Sequence, residues 1–191
     1  MDHPFIIALE CAFHTDAMLY LVFEFMHGGD LYVTAQGRPE KCYTEEESLF
    51  IVAEITMALG HLHEREIVFR DLKPENVLFD TTGHMRLTDF GLAKRNITTS
   101  TRDTACGTPL YMPPEAIDNM REGGGYGLPV DWWMLGVLLY EMMFARTPFE
   151  HMDMHVLWSK IQMDELSFPA GHAVSPAGVS SQAIRTVLCD L

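Results

Sequence analysis

Residues 130–144, VDWWMLGVLLYEMMF, restrict most strongly what this chain can fold into. Apolar side chains occupy nearly every side of a helix formed by this run, so the helix belongs inside a core with other helices around it. Asp131 and Glu141 interrupt the run, which is also shorter than the apolar length that a bilayer requires, so we expect no transmembrane segment. The sequence therefore predicts a helical unit built around one buried helix.

The composition agrees with a folded domain and limits its partners. The chain has 191 residues, of which 48% are hydrophobic and 21% are charged, which is typical of a globular domain. It carries 13 basic and 27 acidic residues, and the resulting formal net charge of -14 opposes binding to nucleic acid. Four cysteines without paired spacing favour a reducing, cytoplasmic location over a disulfide framework or a zinc site.

Local patterns predict the elements that surround this helix. Residues 5–13 and 19–25 place apolar side chains on both sides of the polar turn HTDA, which predicts an antiparallel strand pair. Thr44 and Glu47 match a capping box, and apolar residues then recur with helical spacing. Two short strands, NVLF and MRLTDF, follow, and Gly83 between them is available for a left-handed turn position.

The stretch FRDLKPEN, at residues 69–76, places a polar cluster after the capped helix. Pro74 disfavours a helical conformation at the preceding residue and so predicts an extended loop. Four side chains in the stretch are costly to bury without partners: Asp71, Lys73, Glu75 and Asn76. A solvated loop is one explanation of this cluster. The motif DFG begins 13 positions after Asn76, at the end of the second short strand, and favours a functional site instead.

The motifs RDLKPEN, DFG, CGTPLYMPPE and VDWW together resemble the catalytic domain of eukaryotic serine/threonine protein kinases. The resemblance covers almost the whole chain and implies an α+β fold. Residues 1–26 would hold the last strands of the small-lobe antiparallel sheet and the hinge, and residues 27–191 the helical large lobe. TPFE and the aromatic Phe69 before the catalytic arginine, where the subgroup has Tyr, are similar to the AGC group of cyclic-nucleotide-dependent and protein B and C kinases.

The resemblance implies that the polar residues transfer the γ-phosphoryl group of ATP to a Ser or Thr hydroxyl. Asp71 would accept the proton of that hydroxyl, and Lys73 would lie near the transferred group. Asn76 and Asp89 would bind Mg²⁺, which prefers oxygen ligands. The resemblance places nucleotide contacts at Glu24, Met26, Asp30, Glu75, Asn76 and Asp89.

The same resemblance implies positions for substrate recognition. Glu75 and Glu141 correspond to acids that receive arginines upstream of the phosphorylated residue, so the substrates would be basic proteins. Thr108 corresponds to the threonine that bonds the catalytic aspartate and favours a Ser or Thr acceptor. The alternative for both glutamates is an ordinary surface or helix-end carboxylate, and Glu141 has the further alternative of a partner inside the core.

Regulation by an upstream activating kinase is also implied. Residues 96–104 form a Ser/Thr-rich run, typical of a mobile loop, and Thr104 lies two positions before Cys106, the first residue of CGTP. Arg70 and Lys94 would hold a phosphate placed on Thr104, because a guanidinium grips phosphate with two hydrogen bonds. For the other hydroxyls of the run, a role in keeping the loop soluble is the favoured explanation.

Three elements of a complete kinase are missing from the sequence: a glycine-rich loop, a strand lysine and a helix glutamate. The chain also stops before the arginine that pairs with Glu115 in the family, so both ends look truncated. We expect the chain alone to be nearly inactive and to leave a strand edge and an apolar face uncovered. A non-catalytic kinase-like scaffold remains an alternative, whereas a small-molecule kinase is disfavoured because CGTPLYMPPE and VDWW serve peptide binding and loop regulation in the family.

Overall fold

A computed structural model describes residues 2–95, 107–122 and 127–169. The β-strands are β1 Leu9–His14, β2 Leu19–Phe23, β3 Gly29–Asp30, β4 Ile67–Val68, β5 Val77–Phe79, β6 Met85–Leu87 and β7 Lys94–Arg95. The α-helices are α1 Leu31–Gln36, α2 Glu45–His63, α3 Pro114–Glu122, α4 Pro129–Phe144 and α5 Met154–Met163. Helices and small antiparallel sheets therefore make up an α+β fold, as predicted.

The predicted antiparallel pair is present as β1 and β2. Phe13 lies opposite Tyr20, and their rings stack with centroids 4.9 Å apart. The backbone N–H of Thr15 donates to the carbonyl of Met18 at 2.8 Å and closes the turn. All residues of both strands are exposed, so this hairpin buries neither of its faces against the part of the chain that the structure describes.

The capping box predicted from sequence starts α2. The N–H of Glu47 donates to Oγ1 of Thr44 at 3.3 Å, and Oε2 of Glu47 accepts from the N–H of Thr44 at 2.8 Å. Both contacts satisfy donors that the first helical turn otherwise leaves open. Helix α2 ends at His63. The inward face of the helix contains Ile51, Ile55, Ala58 and Leu62.

Helix α4 forms the centre of the molecule, as its apolar sequence predicts. Pro129 occupies its first turn, where the missing N–H has no cost. Ala145, which caps the C-terminal end after Phe144, has a left-handed φ of 55°. Val137 and Leu138 are fully buried in the same apolar cluster as the inward face of α2. None of the helices in the described ranges has the length and apolar character needed to cross a membrane.

A three-stranded sheet in the order β3-β5-β6 carries the segment after the polar cluster. Gly83 has a φ of 89° in the β5–β6 turn, as predicted. The prediction of an extended loop at Pro74 was wrong in part. Lys73 is extended, but Pro74 begins a 3₁₀ turn in which the N–H of Asn76 donates to the carbonyl of Lys73 at 3.0 Å. The fixed φ of proline suits the first position of such a turn.

Candidate active site

A buried carboxylate on α4 fixes the backbone of the polar segment, which we define as residues 69–76. Oδ2 of Asp131 accepts from the N–H of Phe69, and Oδ1 accepts from the N–H of Arg70, each at 2.8 Å. Arg70 has a φ of 69°, a left-handed conformation that a non-glycine residue adopts only when its surroundings hold it there. Asp131 therefore orders this backbone.

His63 is a partner that the sequence analysis missed. Its Nε2 lies 2.8 Å from Oδ2 of Asp131, so the fully buried carboxylate has a third hydrogen-bonding partner. The ring of His63 also packs edge-on against Trp132, with centroids 5.1 Å apart. No local sequence signal marks this histidine, because its partner lies on another helix.

Asp71 lies at the centre of the polar segment and is only 5% exposed. Nζ of Lys73 is 2.7 Å from its Oδ2. Nδ2 of Asn76 donates to the Asp71 carbonyl at 2.8 Å and to Oδ2 at 3.0 Å. Oγ1 of Thr108 donates to Oδ1 over a longer 3.4 Å. Because a buried carboxylate without partners is costly, these contacts explain how Asp71 remains buried.

The DFG motif joins the polar segment through two contacts. The N–H of Thr88, just before Asp89, donates to the carbonyl of Asn76 at 3.0 Å. The rings of Phe69 and Phe90 pack edge to face with centroids 5.2 Å apart. These contacts bring Asp89 to the same part of the fold as Asn76.

Asp89 has the left-handed φ of 59°, and its Oδ1 accepts from the N–H of Gly91 at 3.2 Å. A Cβ atom at Gly91 would lie 3.0 Å from that oxygen, so glycine keeps this turn uncrowded. Oδ2, the second carboxylate oxygen of Asp89, takes no part in the hydrogen bond to Gly91. The carboxylate is therefore held at the end of β6 by its own local turn.

The donor atoms in this region fit a magnesium ion. The side-chain nitrogen of Asn76 is directed to Asp71, so its Oδ1 is the atom that remains for a cation. Asp89 adds carboxylate oxygen from the adjoining strand end. An amide oxygen and a carboxylate are ligands that Mg²⁺ accepts while it keeps water and phosphate in its shell.

The pairing of β4 with β7 brings together the segments that carry Arg70 and Lys94, the two cations predicted to bind a phosphate. Val68 of β4 is opposite Lys94 of β7, and Nε of Arg70 donates to the carbonyl of Leu92 at 2.6 Å. Gly107 approaches the same place: it has a φ of 117°, and a Cβ there would be 3.0 Å from the Arg70 carbonyl. Thr104, the residue predicted to carry the phosphate, lies outside the described residues.

Glu75 and Glu141, the predicted substrate-binding acids, share an electrostatic environment with Tyr111. The Tyr111 hydroxyl donates to the carboxylate of Glu141. Burial raises the pKa of Glu141, the Tyr111 hydrogen bond opposes this rise, and the nearby Glu75 adds to it. Burial and the Glu141 charge raise the pKa of Tyr111 above its ordinary value. Glu141 therefore has a hydroxyl partner in the core while Glu75 stays exposed.

The predicted hinge and ribose residues have structural contacts of their own. Oε1 of Glu24 accepts from the N–H of Ala8 at 2.8 Å, and its other oxygen pairs with Arg86. Oδ1 of Asp30 accepts from the N–H of Val33 at 2.7 Å and caps α1. Met26, which lies between these two residues in the sequence, is half-buried. A nucleotide role for these three residues stays a prediction.

Comparison with known proteins identifies the family. The protein kinase domain family matches residues 1–186. The RAC family serine/threonine-protein kinase homolog of Dictyostelium discoideum is 43% identical over 178 residues, which are 92% of this chain and 38% of that protein. The human RAC-beta serine/threonine-protein kinase is 45% identical over 168 residues, which are 87% of this chain and 34% of that protein.

The chain belongs to the protein kinase family, as the motifs predicted. Protein kinase 2 of Dictyostelium discoideum is similar at 44% identity over 171 residues, and it too is covered only to 34% of its length. The chain thus spans between 34% and 38% of these curated relatives.

Proposed function

We propose that this kinase domain transfers the γ-phosphoryl group of ATP to Ser or Thr hydroxyls of intracellular proteins. The arrangement around Asp71 carries the proposal: Lys73 and Asn76 contact one carboxylate oxygen, and Thr108 reaches the other. An acid held in one position by these partners can accept a hydrogen bond from a substrate hydroxyl and then its proton. The catalytic assignments to Asp71, Lys73 and Asn76 remain proposals.

In the proposed reaction, the substrate hydroxyl approaches Asp71 and hydrogen bonds to its carboxylate. As the oxygen attacks phosphorus, its proton passes to Asp71 and the bond from the γ-phosphoryl group to ADP breaks. Lys73 offers positive charge to the transferred group. Mg²⁺ supplies further charge neutralisation when it is bound with ATP, and Asn76 and Asp89 would hold it. Nucleotide contacts are proposed for Glu24, Met26, Asp30 and Glu75.

We propose basic protein substrates because two acids lie near the site. Glu75 and Glu141 are close enough for the Glu75 charge to raise the Glu141 pKa, so their fields add where an arginine of the substrate would bind. Thr108 would favour Ser or Thr by its contact with Asp71. An upstream kinase that phosphorylates Thr104, with Arg70 and Lys94 as partners of the phosphate, is the proposed route of activation.

The decisive assay joins this chain to a small lobe that supplies the glycine-rich loop, strand lysine and helix glutamate. With MgATP and an arginine-rich Ser/Thr peptide, we expect Asp71→Asn to lower turnover by at least about 100-fold, the contribution of a positioned general base. Asp16→Asn in the exposed β1–β2 turn is the control. Circular dichroism checks that both variants fold, and normal turnover by Asp71→Asn would refute its role as base.

Regulation is tested separately in the same protein after treatment with an activating kinase. Thr104→Ala is expected to lower activity far more than Thr98→Ala, since only the first removes the proposed phosphate site. Equal effects of the two substitutions would refute Thr104 as the activating phosphorylation site, and they would leave the proposed role of Asp71 unaffected.

A non-catalytic kinase-like scaffold is the alternative that the assay with an added glycine-rich loop, strand lysine and helix glutamate would detect. It predicts no phosphoryl transfer even after those elements are supplied. The retained Asp71, Asn76 and Asp89 argue against it, since a scaffold gains nothing from the cost of burying Asp71 and Asn76.

A further inference from the structure

A cavity is lined by residues outside the proposed catalytic site. It has a volume of about 620 Å³ and is bounded by the start of α2, the loop after α1 and the β5–β6 turn. This volume falls in the range of about 300–1,000 Å³ that is usual for ligand sites. The residues that line it include none of Asp71, Lys73, Asn76 and Asp89. An occupant of this cavity would therefore leave the catalytic residues accessible.

The floor of the cavity is apolar and already formed. Ile51 and Phe79 are 4% and 8% exposed, whereas Phe50 beside them is 51% exposed although its helix is well packed. A large apolar side chain placed against Phe50 would remove this surface from water. The floor thus favours an occupant that brings aliphatic or aromatic groups.

One wall is a fixed ion pair that leaves no unpaired positive charge in the cavity. Nη1 and Nη2 of Arg38 donate to the two carboxylate oxygens of Glu47, both at 2.8 Å, and the guanidinium lies 3.9 Å from the centre of the Tyr43 ring. These hydrogen bonds lower the pKa of Glu47 to about 2, so its charge persists across the physiological range. Arg38 is the one cation among the described lining residues.

Two further carboxylates line the cavity, on Glu46 and Asp80. Oδ1 of Asp80 accepts from the N–H and the hydroxyl of Thr82, each at 2.7 Å, which orients the side chain. Neither carboxylate forms a salt bridge within the described parts of the chain. The rim is therefore negative next to an apolar floor, and it opposes an anionic occupant.

We propose that this cavity is a docking site for an extended segment of a partner protein that combines a large apolar residue with Lys or Arg. The apolar side chain would pack against Phe50 and Phe79, and the basic residues would contact Glu46 and Asp80. A segment with both kinds of side chain complements the apolar floor and the negative rim. The proposal does not depend on the proposed phosphoryl transfer.

The test is selection from a phage library of random dodecapeptides on the immobilised 191-residue chain, after depletion on the Phe50→Ser variant. Depletion removes peptides that bind other apolar surfaces, such as the exposed β1–β2 hairpin. The expected consensus holds a large apolar residue within a few positions of two basic residues. No consensus, or one without Lys or Arg, would overturn the proposal.

A fluorescein-labelled consensus peptide then gives Kd values by fluorescence anisotropy. We expect Phe50→Ser to weaken binding about tenfold or more and Glu46→Lys about three- to tenfold, as for a central apolar contact and a rim charge. Met57→Ser, equally exposed on the same helix, and Glu45→Lys, next in sequence, should each change Kd less than about twofold. Circular dichroism confirms folding of all four variants.

Three other outcomes would reject the proposed occupant. Displacement of the peptide by MgATP would place it in the nucleotide cleft. Equal weakening by Glu45→Lys and Glu46→Lys would show general attraction to an acidic surface. A dimer of the chain that Phe50→Ser converts to monomer in sedimentation would make a second copy the occupant.

Discussion

The polar segment and the β1–β2 hairpin reverse the usual relation between polarity and burial. In the polar segment, Asp71 and Asn76 are 5% and 4% exposed. In the hairpin, Leu19 and Leu21 are 71% and 52% exposed. The buried polar groups have partners at hydrogen-bonding distance, whereas the exposed apolar groups have no covering layer among the described residues. The comparison separates buried polar groups that are paired from apolar groups that stay exposed.

The two regions also differ in how they depend on the rest of the fold. The polar segment is held from α4 by Asp131 and from the DFG motif by Phe90. The hairpin is held chiefly by its own cross-strand pairs. We therefore expect substitutions in the polar segment to affect global unfolding and substitutions in the hairpin to act locally.

The largest expected difference is between two phenylalanines. Phe69→Ala removes a fully buried ring and should lower the free energy of unfolding by about 3–5 kcal/mol. Phe13→Ala in the hairpin, where the ring is 51% exposed, should lower it by less than about 1 kcal/mol. Urea denaturation of both variants measures the difference. Similar losses would show that the hairpin is part of the cooperative core and would remove the contrast.

A smaller effect is expected from the amide of Asn76. Asn76→Ala leaves the buried carbonyl of Asp71 without its amide donor and removes one of the donors to the Asp71 carboxylate, which should cost about 1–3 kcal/mol. Gln162→Ala is the matched control, because it removes an exposed amide that donates to Asp118 at 2.6 Å, and it should cost less than about 0.5 kcal/mol. If both variants unfold at the same urea concentration, the hydrogen bonds of Asn76 do not stabilise the polar segment.

The sequence was sufficient to predict the structural elements whose formation depends on residues close together in the chain. The capping contacts of Thr44 and Glu47, the antiparallel β1–β2 pair and the buried helix α4 were all predicted and found. Each has a local signal, which is a pair three positions apart, an alternation around a turn, or an apolar run. The 3₁₀ turn after Pro74 was missed because proline permits both an extended chain and a first helical turn.

Contacts between distant parts of the chain lay beyond this kind of prediction. His63 and Asp131 are 68 positions apart, and neither periodicity nor a motif links them. Motifs did identify Asp71, Asn76 and Asp89, and the fold brings them to one region through the bond from Thr88 to Asn76. The cavity beside Phe50 has no sequence signal, since a half-exposed aromatic on a helix resembles ordinary surface.

Glu141 extends the comparison because it is a half-buried acid whose pKa is raised chiefly by burial. Its raised pKa means that folding favours the protonated form, so this stabilisation is complete at low pH and is lost as the pH rises through the folded-state pKa. Glutamine resembles the protonated form. Glu141→Gln should therefore gain stability relative to wild type as the pH rises from 5 to 8, by about 1 kcal/mol, the scale of an incompletely satisfied buried group.

Urea denaturation at several pH values measures this trend, with Glu45→Gln in the first turn of α2 as the control. The same Glu141→Gln change should weaken binding of an arginine-rich substrate if Glu141 is a substrate contact. A stability difference that does not vary with pH would show that burial of Glu141 is fully compensated, like that of Asp71.

The smallest expected change in stability concerns the hairpin itself. Replacing Leu19 and Leu21 together with Thr introduces β-branched side chains, which suit a strand, and removes exposed apolar surface. The free energy of unfolding should change by less than about 0.5 kcal/mol, while concentration-dependent association, followed by light scattering, should fall. Met152→Thr removes a fully exposed apolar group outside the hairpin and should leave association unchanged. An exposed apolar strand pair promotes association without stabilising the fold. If the double variant scatters light as strongly as the wild type, the hairpin is not the surface through which the chains associate.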